Sequence, residues 1–411
     1  MKATDARQAR ANGLVLAALV LAGGALALGT AAIVSAGVLA GVMARRIVTP
    51  SSKRADDTRV FAVDLAAGTI TLEATVDAVL PGDYSFWFAG DTGHARLGGI
   101  ERRTEKSVTR RVLKVDFGDL STVVSGRLGG YSFLGPWDLG VEFSNVTVPT
   151  DLGDAPAWLI PAARDSGDWV IQVHGRGVRR HETLRAVPVF QSAGYTSLLV
   201  SYRNDGEAPP SADGRFGLGD TEWRDVEAAI DFAAANGATR IVLMGWSMGG
   251  AISLQAATRA RHDGRLVGIV LDSPVIDWAD VVAYQAVLLR LPRIVVRGAL
   301  GIMAHRWGRV VTGLHLPIDL PRLDFVARAA DLSLPILILH SDDDGYVPSA
   351  PSRLLAEARP DIVTLVPFAE ATHTKLWNYD PAAWNAAILA WLGTLASMHP
   401  AIAAADESAG R

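Results

Sequence analysis

Six short runs dominated by Val, Ile and Leu constrain the fold of this chain more than any other feature: Trp169 to Val173, Thr196 to Ser201, Arg240 to Met244, Leu266 to Leu271, Pro335 to Leu339 and Ile362 to Val366. Strands that are apolar on both faces need cover on both faces, and a mostly parallel sheet with crossover helices provides it. Helix-like periodicity between the runs supplies the cover. The expectation is an α/β domain over residues 156–398. Between Trp278 and Leu323 the alternation gives way to an apolar and basic stretch with Arg290, Arg293, Arg297, Arg306 and Arg309. It reads as a cap insertion over about 278–323, with Arg290, Arg293 and Arg297 at helical spacing.

Upstream the pattern differs. From about Arg59 to Val148, alternating stretches such as Thr69 to Ala74 and Tyr84 to Phe88 are separated by Pro-Gly, Gly-Asp and Gly-Gly turns. That is the signature of short half-buried strands, so 51–155 is assigned to a β-rich module. Residues 11–44 contain no charged side chain and are flanked by Lys2, Arg7 and Arg10 before and Arg45, Arg46, Lys53 and Arg54 after. At about 1.5 Å per residue such a run exceeds a ~30 Å hydrocarbon core. A cleavable signal would need only ~7–15 apolar residues, so a retained single-pass transmembrane anchor is expected over 1–50. The basic flanks are nearly balanced, leaving a slight lean towards an extracytoplasmic catalytic domain. Residues 399–411 read as a flexible tail.

Charge and cysteine content narrow the chemistry. The 411 residues carry 39 Lys+Arg and 43 Asp+Glu, a formal net charge of -4, so no basic excess exists to neutralise a nucleic-acid backbone. With no cysteine, thiolate metal sites and thiol nucleophiles are excluded. Gly175-Arg176-Gly177 lacks the third glycine of a dinucleotide-binding turn and no phosphate-binding G-x-x-x-x-G-K-[ST] loop occurs, so no cofactor is expected.

The strongest local signal is Gly245-Trp246-Ser247-Met248-Gly249-Gly250, between a strand-like run and a helix-like one. A serine in G-x-S-x-G sits on a sharp strand-to-helix turn, where side chains at the flanking positions would collide with backbone. A serine hydroxyl is a poor nucleophile without an imidazole base and an orienting carboxylate, and in this arrangement they follow in the order Ser, acid, His. The acid is expected in the loop after Pro335 to Leu339, where Asp342, Asp343 and Asp344 are adjacent; Asp344 is preferred, partly on a family pattern given below, with Asp272 as rival. A metal site on the three aspartates is a further alternative. Only His373 and His399 follow this loop, and His399 lies in a small-residue tail. The backbone N–H groups of Met248 and of Arg176, in the loop after Trp169 to Val173, are the expected oxyanion donors. His174 reads as a loop brace.

Together, His-Gly after one strand, G-x-S-x-G after another, D-x-x-V-P at Asp344 to Pro348 and a late His373 resemble the α/β-hydrolase superfamily over about 157–397. His174 to Arg185 with Tyr202-Arg203-Asn204 is similar to its bacterial membrane-anchored branch, related to prolyl-oligopeptidase-type peptidases and acyl hydrolases. The resemblance implies an α/β-hydrolase fold with Ser247 as nucleophile, Asp344 as acid and His373 as base. The chain departs from it in lacking a His-Gly-Gly-Gly loop and a propeller-length module. The expected activity is cleavage of carboxylic esters or thioesters with an apolar, lipid-like acyl part. A peptidase or amidase using the same triad, and a non-catalytic membrane-tethered interaction protein, are the alternatives.

Overall fold

The computed structural model describes residues 34–50, 54–164 and 166–398. A six-stranded antiparallel barrel is formed by β1 (Thr58–Asp64), β2 (Thr69–Glu73), β3 (Tyr84–Phe88), β4 (Gly93–Arg103), β5 (Ser107–Phe117) and β6 (Ser125–Gly129), closing in the order β1-β2-β5-β4-β3-β6. Closure leaves no edge strand to cap. Alternation sends Ile70, Leu72, Tyr84, Phe86, Phe88, Leu97 and Val108 into its core. Arg110 is buried among them, donating from Nη1 to the carbonyls of Ala78 (2.9 Å) and Leu80 (2.8 Å), from Nη2 to that of Gly82, and from Nε to that of Gly98 (3.0 Å). A buried guanidinium is tolerable only when its donors are met, and here they fix the loop that follows β2.

The second sheet has eight strands: β7 (Ser144–Thr150), β8 (Gly153–Ile160), β9 (Asp168–Val173), β10 (Thr196–Val200), β11 (Arg240–Trp246), β12 (Leu266–Asp272), β13 (Ile336–Ser341) and β14 (Val363–Phe368). Their order is β14-β13-β12-β11-β9-β10-β8-β7, parallel from β14 to β10, with β8 antiparallel to both β10 and β7. All six expected runs are strands of this sheet. The boundary expected at 155/156 requires correction, because it falls within the β7–β8 hairpin. Strand β7 pairs with β8 from Ser144↔Leu159 to Thr150↔Gly153, so the sheet begins near 144 rather than 156. Its alternating pattern resembles that of the barrel strands because it is an edge strand with one covered face.

Helices cover both faces. On one side α3 (Trp223–Ala235), α4 (Met248–Arg259) and α8 (Ala350–Ala358) bury Val226, Ile230, Ile252 and Leu355. On the other α2 (Val187–Ser192) and α10 (Pro381–Met398), preceded by the one-turn α9 (Leu376–Tyr379), bury Phe190, Trp384, Ile388 and Trp391. The insertion after β12 holds α5 (Trp278–Leu288), α6 (Arg293–Ala304) and the short α7 (Arg309–Thr312). The single-helix spacing expected for Arg290, Arg293 and Arg297 is interrupted: the chain turns at Arg290, whose φ is 55°, before Pro292 opens α6.

Helix α1 spans 34–48 among the described residues. Its Ala40, Ala44 and Val48, one turn apart, are buried in the core with Val295, Ala299 and Met303 of α6. The last part of the uncharged run thus packs on protein. No helix among the described residues is long and apolar enough to cross a membrane. Residues 11–33 of the expected anchor, and the tail 399–411, lie outside the described residues.

Candidate active site

Ser247 occupies the turn between β11 and α4 with φ 52° and ψ −117°, a left-handed conformation held by its surroundings. Its N–H donates to Asp272 O (3.0 Å), and its carbonyl accepts from Gly250 N (3.0 Å) and Val275 N (3.1 Å). The flanking glycines are required by close backbone approach. A Cβ on Gly245 would lie 2.3 Å from Gly249 O, and one on Gly249 would lie 2.1 Å from Val173 O. The turn is therefore wedged against the end of β9, where the loop carrying Arg176 begins.

Ser247 Oγ lies 2.9 Å from His373 Nε2, and His373 Nδ1 lies 2.7 Å from Asp344 Oδ2. A carboxylate at Nδ1 fixes that nitrogen as the protonated one, leaving Nε2 to accept from the hydroxyl. The other oxygen of Asp344 accepts from the N–H groups of Tyr346 and Val347, each at 2.8 Å. Burial raises the Asp344 pKa, but the charge of and hydrogen bonds to His373 and His340 outweigh it and hold the carboxyl well below the usual range. The neighbouring aspartates are exposed, with Asp342 paired to Arg353 (2.6 Å). Asp272 faces another way, accepting from Trp384 Nε1 (2.8 Å) and Ser273 Oγ (2.9 Å).

Met248 directly follows Ser247, and the loop that carries Arg176 abuts it. Met248 opens α4, so its N–H has no intrahelical partner. Gly175 abuts Ser247, since a Cβ there would sit 3.3 Å from Ser247 Cβ. The Gly175 N–H is already committed to Glu182 Oε2 (2.7 Å), so this amide does not serve a ligand at the hydroxyl. The Arg176 side chain caps α1 by donating to the carbonyls of Arg46 (2.7 Å), Ile47 (2.9 Å) and Thr49 (3.1 Å). His174 braces the loop, stacked on Tyr202 at 4.2 Å and 3.2 Å from Asp205. Beside this loop a cleft of about 510 Å³ opens, lined by Trp87 and Arg127 of the barrel, by Tyr131 just after it, and by Gly177, Val178 and Phe216.

Sequence reasoning missed the residues that hold these groups. His340, at the end of β13, touches Asp344 Oδ2 at 3.4 Å and is fixed by Ser352 Oγ (2.8 Å). Buried Arg185 donates to Thr374 O (2.6 Å) and lies 3.5 Å from Glu182, tying the His373 loop to the Gly175 loop. Ser273 Oγ accepts from Thr374 N (3.1 Å). From the barrel, Asp77 accepts from Thr372 Oγ1 (2.8 Å) and Lys375 Nζ (2.6 Å), gripping the loop on both sides of His373. Only the proximity in sequence of Thr372, Lys375 and His373 hinted at this; the partner is some 300 residues away.

This geometry can be set beside known proteins. Residues 59–129, the barrel, match a domain of unknown function (DUF8805). Residues 170–387 match the alpha/beta hydrolase family. The human Protein ABHD12B (Homo sapiens) is 27% identical over 219 residues, which cover 49% of this chain and 54% of that protein, so the match spans about half of the relative's length. The esterase Pf2001 of Pyrococcus furiosus superposes with a TM-score of 0.50 at 19% identity, covering 64% of this chain and 94% of that one. The strand order, the position of Ser247 after β11 and the family match over more than half of the sequence lead to one conclusion: this chain belongs to the α/β hydrolase family.

Proposed function

We propose that this chain is a membrane-anchored serine hydrolase that cleaves carboxylic esters or thioesters with an apolar acyl part. The observation that carries the reading is the continuous row Ser247 Oγ, His373 Nε2, His373 Nδ1 and Asp344 Oδ2, joined at 2.9 and 2.7 Å. The order of events follows from the acidity of each group. Ser247 Oγ attacks the carbonyl carbon while its proton passes to His373 Nε2, and Asp344 stabilises the imidazolium without taking the proton. The N–H groups of Arg176 and Met248 face the developing oxyanion. His373 then protonates the departing alcohol or thiol, leaving an acyl group on Ser247. Water, deprotonated by His373, releases the acid and restores the hydroxyl. Residues 11–33, uncharged throughout, are the proposed membrane anchor, long enough at about 1.5 Å per residue for a ~30 Å core.

The test is labelling by a fluorophosphonate probe with parallel turnover of short-chain esters and aminoacyl amides. Wild-type chain should label and cleave esters, and Ser247→Ala should do neither while keeping its circular dichroism. Label retained by Ser247→Ala removes Ser247 from the role, and turnover of amides alone transfers the site to a peptidase.

A further inference from the structure

The cap carries an unusual surface. From residue 281 to residue 318 the chain contains five arginines and no Asp or Glu, within a sequence whose net charge is -4. All five, Arg290, Arg293, Arg297, Arg306 and Arg309, are exposed, and none forms an ion pair among the described residues. Interleaved with them stand bare apolar side chains: at the α5–α6 turn Val287 is 72%, Leu288 53%, Leu289 61% and Ile294 56% exposed, and around α7 Trp307 and Val310 are 61% and 84% exposed. Contiguous apolar surface of this kind is unfavourable in water and marks a contact surface.

The position of α1 says what covers it. This helix carries the end of the uncharged run, and it packs between the two patches. A Cβ on Gly298 of α6 would meet Ala40 Cβ at 2.8 Å, and one on Gly41 would meet Val311 Cγ1 at 3.2 Å. Gly298 is one helical turn from Ile294, and Val311 adjoins Val310. Towards its N-terminal end α1 itself is bare at Val34, Val38 and Val42, spaced one turn apart. Apolar side chains set among unpaired arginines, around the point where an uncharged segment joins the domain, match the chemistry of an anionic bilayer surface: acyl chains for the Val and Leu tips, phosphates for the guanidinium groups.

We propose that the cap face formed by the α5–α6 turn, α7 and the exposed side of α1 rests in the headgroup layer of an anionic phospholipid bilayer. This contact is separate from the proposed anchor, although its argument rests in part on that reading.

The absence of cysteine allows single-site labelling of the full chain. An environment-sensitive nitrobenzoxadiazole label is placed on Leu288→Cys, on Leu21→Cys within the uncharged run, or on Val124→Cys of the barrel, and the chain is reconstituted in phosphatidylcholine–phosphatidylglycerol nanodiscs with and without doxyl lipids. Fluorophosphonate labelling reports folding of each variant. The expected result is quenching at 288 and 21, each at least twofold stronger than at 124. Quenching at 21 but not 288 overturns the cap contact and spares the anchor. Quenching at 288 but not 21 supports the cap contact and overturns the anchor. Quenching at neither overturns both. A blue shift at 288 without lipid quenching means that protein, such as a second copy, covers the turn, and overturns the proposal. Replacing Arg290, Arg293 and Arg297 by Glu should halve the quenching at 288 in discs containing phosphatidylglycerol; unchanged quenching removes the arginines from the contact.

Discussion

Lys375 Nζ meets Asp77 Oδ2 at 2.6 Å across the boundary between barrel and hydrolase sheet. Because Thr372 Oγ1 binds the other oxygen of the same carboxylate, the barrel holds the residues on both sides of His373. Asp77 is itself presented by the loop that buried Arg110 fixes. The barrel is in this way part of the frame that sets the imidazole.

Replacing Asp77 by Ala should therefore loosen His373 without touching substrate. Displacements of about 1 Å at a base can cost up to 10²-fold in rate, so a fall in kcat of about tenfold, with KM within about twofold, is the expected outcome. Steady-state turnover of a chromogenic ester would measure it. Asp77→Asn keeps an acceptor for Thr372 and should recover part of kcat. A merely structural role would lower thermal stability while leaving the pH profile of kcat/KM unmoved, whereas a misplaced base should shift that profile.

Arg185 and Glu182 make a second frame from the opposite side. Glu182 Oε2 accepts the Gly175 N–H at 2.7 Å and Arg185 holds Thr374 O at 2.6 Å, so one buried pair touches the loops on both sides of Ser247. Removing one member of a buried pair leaves an uncompensated charge, typically at a cost of about 3–5 kcal/mol. Arg185→Met should lower unfolding free energy by about that amount in urea titrations. Glu182→Gln, which still offers Gly175 an oxygen, should keep more kcat than Glu182→Ala.

These two frames show where sequence reading reaches its limit. The turn around Ser247 is local: Gly245, Ser247 and Gly249 announce it within five residues, because each glycine answers a backbone clash. Five of the six Val/Ile/Leu runs are equally local, since burial on both faces writes itself into composition, whereas β14 is an edge strand with exposed positions. Barrel closure, by contrast, needs β1 to pair with β6 through Thr58↔Gly126, a contact no periodicity encodes. The misplaced domain boundary has the same origin, because β7 alternates like a barrel strand yet pairs in the other sheet. Asp77 could not be linked to Lys375, nor Arg185 to Thr374, because isolated charges at such separations carry no pattern.

Acid should destabilise the chain in a defined window. Burial raises the pKa of Asp116, but bonds to Arg96, Lys114 and His94 overcome it and bring it down to about 2. An unfolded Asp titrates near ~3.9, so the unfolded state binds more protons between about pH 4 and pH 2 and stability falls as pH drops through that range. Asp344, also depressed, acts in the same direction. Asp272 and Glu222 act oppositely: burial raises both, so their contribution is complete at low pH and lost as pH rises through their elevated values. Denaturant titrations across this window should show Asp116→Asn less stable at neutral pH, with a shallower acid slope. An unchanged slope would mean that Asp116 is not depressed.

Two glycines make opposite predictions. At Gly249 a methyl group would lie 2.1 Å from Val173 O and 2.6 Å from His174 O, both backbone atoms that cannot swing aside. Gly249→Ala must push α4 from the end of β9, separating Ser247 from the Arg176 loop; the expected result is a stability loss of about 1–3 kcal/mol, as for overpacking, and a fall in kcat larger than any change in KM. Gly393, exposed within α10, has nothing within 4 Å of its added Cβ and no positive φ. Gly393→Ala should therefore raise stability by about 0.5–1 kcal/mol and leave kcat alone, since only the backbone freedom of the unfolded chain is reduced. Thermal unfolding and ester turnover of the two variants, measured side by side, would separate close backbone approach at the serine turn from glycine content as such.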